Sequence, residues 1–334
     1  MRILFMHNNF PGQYRRIYQY LSQVGGYRMA AVTLETNKQS FEIPRINFKQ
    51  TREVKPETHY AMQNLEQAVL NGQGVYRALA TMKKRGESPD IILGHSGWGT
   101  GLFAKDIFPD AKYLAYFEWY YHCHGGDGEF FRSEPYGAND EVRIRIKNSA
   151  LLQDLASMDW GQSPTRFQQG QLPAIFRPHV SVLHDGVDTN FFSPDPGVVL
   201  EVAGKRFTAD DEIVSYIARG MEEYRGFPQF MEALYKLQKR RPNMQAIIIG
   251  EDRIAYGARR KDGKGLKADM LKKYDFDESR LHFLGLQPLS VLRDTVRISR
   301  AHVYLTAPFV LSWSMMESMG AGALIVGSDT EPVR

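Results

Sequence analysis

Two arginines stand six positions apart in YIARGMEEYRGFPQF, residues 216–230: Arg219 follows an apolar run at once, and Arg225 directly precedes a glycine and a helix-like stretch. Guanidinium groups donate in a fork that matches phosphate oxygens, so such a pair around a strand-to-helix loop can clamp a diphosphate. Two solvated surface arginines would be the plainer reading, but the position at the end of a strand favours the clamp. Glu317 is a lone carboxylate in FVLSWSMMESMGAGALIVGSD, residues 309–329, among methionines, small residues and an apolar run. Burying it without a partner is costly, so it calls for water or a strong donor. Glu118 opens the aromatic stretch that runs through HCHGGDGEFF and follows an apolar run, where active-site groups collect. His122, Cys123 and His124 beside it have the chemistry of metal ligands, but no second cluster completes a donor set, so no metal is expected.

Loops supply the rest. In HNNFPGQYRR, residues 7–16, Gly12 allows close backbone approach at the opening of a helix, whose N-terminus favours anions. A plain strand-to-helix turn has the same composition. Residues 247–265 end a strand in Gly250-Glu251 and enter a long polar loop through Tyr256-Gly257, the length of a lid or binding loop. Its basic residues Arg259, Arg260, Lys261 and Lys264 read more simply as solvated surface than as a phosphate contact. Asp185-Gly186 is a turn, and Asp188 and Thr189 are suited to capping the next segment of chain. Neither a Ser-His-Asp arrangement, a P-loop nor an H-E-x-x-H sequence occurs.

Those residues need a scaffold. Short apolar runs alternate with amphipathic stretches along the whole chain, which predicts α/β architecture with parallel sheets. Strands are expected at 3–7, 29–34, 91–95, 113–117 and 180–183, then at 213–218, 244–249, 281–284, 303–306 and 324–327. Phe227, Phe230, Leu234 and Leu237 have helical spacing and predict a helix over 227–240. Two prolines and a glycine in NFFSPDPG, residues 190–197, break the pattern. They divide the sequence into two Rossmann-like halves, 1–194 and 195–334, facing across a cleft that receives the loops of both.

Composition sets the outer limits. The 334 residues are 43% hydrophobic and 24% charged, as in ordinary globular proteins, and the net charge of +4 does not by itself indicate nucleic acid. The single cysteine, Cys123, excludes an intramolecular disulfide framework and suits a reducing, cytoplasmic setting. The apolar run at the start is too short for a signal peptide, and no segment approaches the roughly 20 apolar residues of a transmembrane helix.

Taken in order, VLHDGVDTNFFSP, ARGMEEYRGF, IIIGED, LHFLGLQP and AHVYLTAPFVLSWSMMESMGAGALIVGSD resemble the retaining family 4 glycosyltransferases of GT-B fold. FPGQYRR, YFEWYY, SPTRFQ, IAYG and PFVLSWS are similar to a bacterial subgroup. The resemblance implies a nucleotide-diphosphate sugar as donor, no cofactor, and a sugar-accepting first half. It puts Arg219 and Arg225 on the diphosphate, with arginine where the family has lysine, and Gly12 beside the phosphates. It puts Gly250, Glu251, Tyr256 and Gly257 on the donor side. Glu317 falls on the second glutamate of the E-x7-E motif, which holds ribose hydroxyls, and Ser314, Met315 and Met316 turn backbone N–H groups toward phosphate. Two departures stand out. Phe309 occupies the place of the first motif glutamate, and Glu118 lies near where relatives carry a histidine. The family continues past SDTEPVR with further helices that this sequence lacks.

The reaction implied is sugar transfer to an acceptor hydroxyl with retention. Three other readings share these residues: a sugar-nucleotide epimerase of the same fold, a nucleotide-sugar-binding protein without turnover, and a transferase acting on nucleic acid. The acceptor is not specified by the sequence.

Overall fold

Strand β1 (Arg2–Met6) points Leu4 and Met6 into one apolar cluster and Ile3 and Phe5 into another. A strand buried on both faces must lie inside a sheet covered on both sides, the usual setting of parallel strands. Its parallel neighbours are β2 (Arg28–Leu34) and β4 (Ile91–His95). Beyond them lie β3 (Arg45–Phe48) on one side and β5 (Lys112–Tyr116), β6 (Trp160–Ser163) and β7 (Val180–Val182) on the other. The order is β3-β2-β1-β4-β5-β6-β7, and every pairing is parallel.

After a short antiparallel hairpin, β8 (Leu200–Val202) with β9 (Lys205–Phe207), the same arrangement recurs. Strands β10 (Ile213–Gly220), β11 (Gln245–Glu251), β12 (Leu281–Gly285), β13 (Ala301–Tyr304) and β14 (Ile325–Gly327) form a parallel sheet of order β12-β11-β10-β13-β14. Tyr216 packs into one cluster, and Ile213 and Ile217 into the other. The helix Phe227–Arg240 buries Phe227, Phe230, Met231 and Leu234, the spacing of one helical face. Both sheets reverse direction once, between β1 and β4 and between β10 and β13. In open parallel sheets that reversal is where ligands bind, outside the carboxyl ends of the strands.

The computed structural model describes residues 1–132, 134–202, 204–257 and 260–334, which form two Rossmann-like units, Met1–Gly186 and Val187–Arg334. The sequence reading divides them at 194/195 instead. Residues 187–194 belong with the second unit because they pack there: Arg297 donates to Ser193 O at 2.7 Å, and Arg293 lies over the Phe191 ring. All ten expected strands are present; that at 91–95 coincides with β4, and the other nine have shifted ends. β3, β6, β8 and β9 were not expected, because they are short and carry few apolar residues.

One buried carboxylate fixes the loop after β4. Asp154, fully buried, accepts from Ser96 Oγ at 2.7 Å, Gly97 N at 3.3 Å and Tyr113 OH at 3.1 Å. Gly101 passes so close that an added Cβ would sit 2.3 Å from Asp154 Oδ1. Burial pushes the Asp154 carboxyl up to about 6, against the pull of those three hydrogen bonds.

These contacts have measurable outcomes. Gly250 has φ +143°, and an added Cβ would lie 2.0 Å from the Ala218 carbonyl oxygen on the neighbouring strand. Gly250→Ala should therefore destabilise by about 3 kcal/mol or more in urea denaturation. Gly170→Ala, in an exposed helix with open space around it, should stabilise by about 0.5–1 kcal/mol. For Asp154 the raised value means that the native state holds the proton more tightly than the unfolded chain between the ordinary carboxyl value and about pH 6. Stability should fall across that window as pH rises, by on the order of 2–3 kcal/mol relative to Asp154→Asn. Parallel denaturation curves of the two proteins at pH 4 and pH 7 would reject this if their difference stayed constant.

Candidate functional site

In the second unit the pairing of β10 with β11 shifts register between Ile217 and Gly220. Arg219 lies in that irregularity and is exposed, with no side-chain hydrogen bond or ion pair to another described residue. Arg225 is the opposite case: it is 6% exposed. Its Nη1 donates to Thr306 Oγ1 at 2.8 Å and to Tyr304 OH at 3.2 Å, both just past or at the end of β13. Its guanidinium lies 5.3 Å from the centre of the Tyr256 ring. Among the described residues no carboxylate comes within ion-pair distance of it, so a buried cation is held by hydroxyls alone. Taking a charge out of water is expensive, and the buried Glu222 offsets it only from beyond ion-pair distance; the group stands at the sheet's reversal point. Gly226 follows at φ +60°, where an added Cβ would be 2.4 Å from Leu305, and starts the helix Phe227–Arg240.

Glu222 is a residue that the sequence reading passes over. It is 1% exposed, and its Oε2 accepts from the backbone N–H groups of Ala255 and Tyr256, the latter at 2.8 Å. Burial raises its carboxyl against those two bonds, while Oε1 has no partner. The glutamate thus ties the loop after β11 to the loop after β10 and sets Tyr256 over Arg225. Nothing in MEEYRG distinguishes Glu222 from Glu223 without the fold.

The donor-side candidates divide by what the fold asks of them. Gly250 is glycine because Ala218 O lies against it, which is a packing reason. Glu251 is taken up by Arg253, from whose Nε it accepts a hydrogen bond. Gly257, at φ +86°, lets its loop lie against the Tyr224 ring. Phe309 packs on Tyr224 at 5.9 Å and Tyr256 at 5.3 Å, so an aromatic cluster replaces the missing motif carboxylate. The helix Trp313–Gly320 carries Ser314, Met315, Met316 and Glu317, all half-buried. Ser312 caps it: its Oγ accepts from Ser314 N at 3.3 Å and its carbonyl from Met315 N at 3.2 Å. These two amides are therefore already satisfied within the protein, where the sequence reading turns them toward phosphate. Glu317 lies in the second turn of that helix.

In the first unit the reversal point brings two histidines together. His7 follows β1 and His95 ends β4, with ring centres 5.0 Å apart and nearly perpendicular. Gly12, at φ +45°, comes so near His7 that a Cβ would sit 2.4 Å from the ring. His7 Nδ1 accepts from Asn9 N at 2.9 Å, so Nε2 carries the proton and donates to Gln13 Oε1 at 2.8 Å. Gln13 in turn donates to Glu118 Oε1 at 3.1 Å. Burial above all, then His95, pulls His7 down to about 3, so this ring is neutral. His95 donates from Nδ1 to Ser96 O at 3.0 Å and stacks on Trp98 at 4.1 Å. Its Nε2 stands 3.6 Å from Glu118 Oε2. Glu118 thus joins a histidine pair that residue spacing alone did not reveal, since His7, His95 and Glu118 are more than 20 positions apart in sequence.

Other sequence candidates lie elsewhere. His122 donates to Gln171 O at 2.7 Å. Cys123, His124 and Glu141 place their ligating atoms within 4.8 Å of one another. Both His124 nitrogens already meet carboxylates, Glu129 at 2.9 Å and Glu141 at 3.3 Å. Arg260 is paired with Asp262 and Asp269, which removes it from the basic cluster as a phosphate contact, and Arg259 lies outside the described residues. No helix among the described residues is long and apolar enough to cross a membrane.

Residues 25–192, half of the chain, match the family model for the glycosyl transferase family 4 group. No curated protein sequence matches the chain. Among solved structures, sucrose-phosphate synthase from Thermosynechococcus elongatus superposes with a TM-score of 0.70 at 15% identity, covering 100% of this chain and 82% of that one. The catalytic domain of starch synthase IV from Arabidopsis thaliana, bound to ADP and acarbose, gives 0.62 at 10% identity over 99% and 83%. The E. coli trehalose-6-phosphate structure bound with UDP-2-fluoro glucose gives 0.58 at 12% over 100% and 85%. Identities this low speak for the fold alone, and the family model speaks for descent: the chain belongs to the glycosyl transferase family 4 group and is a glycosyltransferase of GT-B fold.

Proposed function

We propose that this glycosyltransferase is retaining and metal-independent, taking its sugar from a nucleotide-diphosphate donor held by the second unit. The observation that carries the reading is Arg225, a buried cation without a described carboxylate partner, with the exposed Arg219 on the same strand-to-helix connection. A diphosphate supplies the direct ion pair that Glu222, farther off, does not make. As the anomeric carbon–oxygen bond breaks, charge grows on the departing phosphate, and two guanidiniums can stabilise it where other enzymes use a divalent cation. The acceptor oxygen bonds to the anomeric carbon from the same face. Its proton passes to the departing phosphate oxygen, and a nucleoside diphosphate is released. No protein nucleophile is needed, so catalysis rests on positioning and charge. Two of the similar structures support this: one is bound to ADP and acarbose, the other to UDP-2-fluoro glucose. Glu317, half-buried on its helix, takes the ribose hydroxyls in this reading.

The aromatic packing of Phe309 favours one competitor, a protein that binds nucleotide sugar without turning it over. Incubation with a panel of nucleotide sugars and acceptors in EDTA separates the readings. A glycosylated product with retained configuration is expected. A rearranged sugar nucleotide without acceptor would make the protein an epimerase, binding without product a silent binder, and restoration only by Mg²⁺ or Mn²⁺ would end the metal-independent assignment.

Two substitutions probe the donor contacts. Arg219→Ala should weaken nucleoside diphosphate binding by about 1.5–3 kcal/mol in calorimetry while leaving the melting temperature little changed, since the side chain is exposed. Glu317→Gln should narrow the preference for ribose over 2′- or 3′-deoxyribose nucleotides, because a site built to receive a hydroxyl rejects its absence. An unchanged ribose-to-deoxyribose ratio would assign Glu317 to bracing its helix.

A further inference from the structure

A cavity of about 350 Å³ opens in the first unit beside His95 and Glu118. That is near the lower end for small-molecule pockets, roughly 300–1,000 Å³, so it encloses a molecule of sugar size rather than a polymer strand. One wall is amide-rich, with Gln50, Asn64, Gln67 and Asn71. Asn71 is held in place: it accepts from Gln50 Nε2 at 2.5 Å and donates to Trp98 O at 2.8 Å. Gln67 Nε2 and His95 Nε2 are buried without a hydrogen-bond partner, and His95 as a whole is 2% exposed. Amides of this kind both give and accept, which suits hydroxyl groups.

The lining also includes a cation. Lys147, the last residue of the helix Ala138–Lys147, holds its ammonium 3.4 Å from the centre of the Tyr121 ring. Among the described residues no carboxylate lies within ion-pair distance of it. Glu118, the acid that shares the cavity, is engaged by Gln13 and faces His95 instead. Burial lowers Lys147 to about 8, with Asp127 opposing and Arg143 adding to the effect. A half-buried ammonium with no ion pair among the described residues can take an anion as its counter-charge.

We propose that this cavity binds an anionic monosaccharide, its phosphate or carboxylate on Lys147 and its hydroxyls on the amide wall, and that this is the class of acceptor. Calling the ligand the acceptor rests on the transferase reading; its binding does not. The full chain, without nucleotide, would be titrated calorimetrically with glucose, galactose and mannose, each as free sugar, 6-phosphate and uronic acid, and with inorganic phosphate. At least one anionic sugar should bind about 10- to 100-fold tighter than its neutral parent. Phosphorylated sugars binding alone, or uronic acids alone, identify which anion the lysine takes. Lys147→Met, which keeps the aliphatic stem, should abolish the preference, and Lys147→Arg should retain it, both with an unchanged melting temperature.

Equal affinity for neutral and anionic sugars, or a preference that survives Lys147→Met, would overturn the proposal. So would inorganic phosphate binding as tightly as the sugar phosphates, since the amide wall would then contribute nothing. A nucleoside diphosphate titrated into the same protein separates the two readings. If it binds while every anionic sugar fails, only this inference falls. If anionic sugars bind and nucleotides do not, the donor assignment falls and the cavity stands.

Discussion

Parallel pairing is the constraint on which the rest of the structure depends. With every strand of both main sheets running the same way, each connection must cross over a face, and every strand-to-helix loop emerges at the same edge of its sheet. Residues far apart in sequence are gathered there without any contact between their own neighbours. His7, His95 and Glu118 meet because β1, β4 and β5 end side by side. Arg225 reaches Thr306 and Tyr304 because β10 and β13 do. Both sheets are covered by apolar clusters on two faces, so that edge is the main place where polar loops from several strands converge.

Asp154 and Arg225, buried near the reversal points of the two units, are of opposite sign and are held in different ways. Asp154 in the first unit is surrounded by three donors, which offset part of the penalty of burial and lock the turn that presents His95 and Trp98. Arg225 in the second has only hydroxyl acceptors. Asp154 is satisfied from within the fold, whereas the demand of Arg225 for an anion is met only in part.

The sequence made the architecture readable wherever burial on two faces produced continuous apolar runs, as in β1, β4, β10 and β11. Strands such as β6, WGQS, gave no such signal, because the buried Ser163 is held by a hydrogen bond to Phe117 O rather than by hydrophobicity. The placement of the arginines around a strand-to-helix connection was legible from the glycines that follow them, although Arg219 lies within β10 and not after it. Glu222 was not, because its role depends on amides some 33 positions away, Ala255 and Tyr256. His7 and His95 were likewise hidden, one inside a turn and the other at the end of an apolar run. Gly250 was read as a ligand-facing glycine, while the fold requires it for the approach of Ala218.

The chain of contacts from Asn9 through His7 and Gln13 to Glu118 has a further property. Every link has a fixed sense. The Asn9 amide proton occupies one imidazole nitrogen and forces the hydrogen onto the other. That hydrogen fixes which end of the Gln13 amide faces inward, and the amide can then only offer hydrogen, never receive it, at Glu118. The loop after the first strand is thus a one-way wire of dipoles with its positive end on the carboxylate. Because that sense is set at the Asn9 end, by a backbone amide that can only donate, Glu118 Oε1 is held as an acceptor while Oε2 is left to face His95.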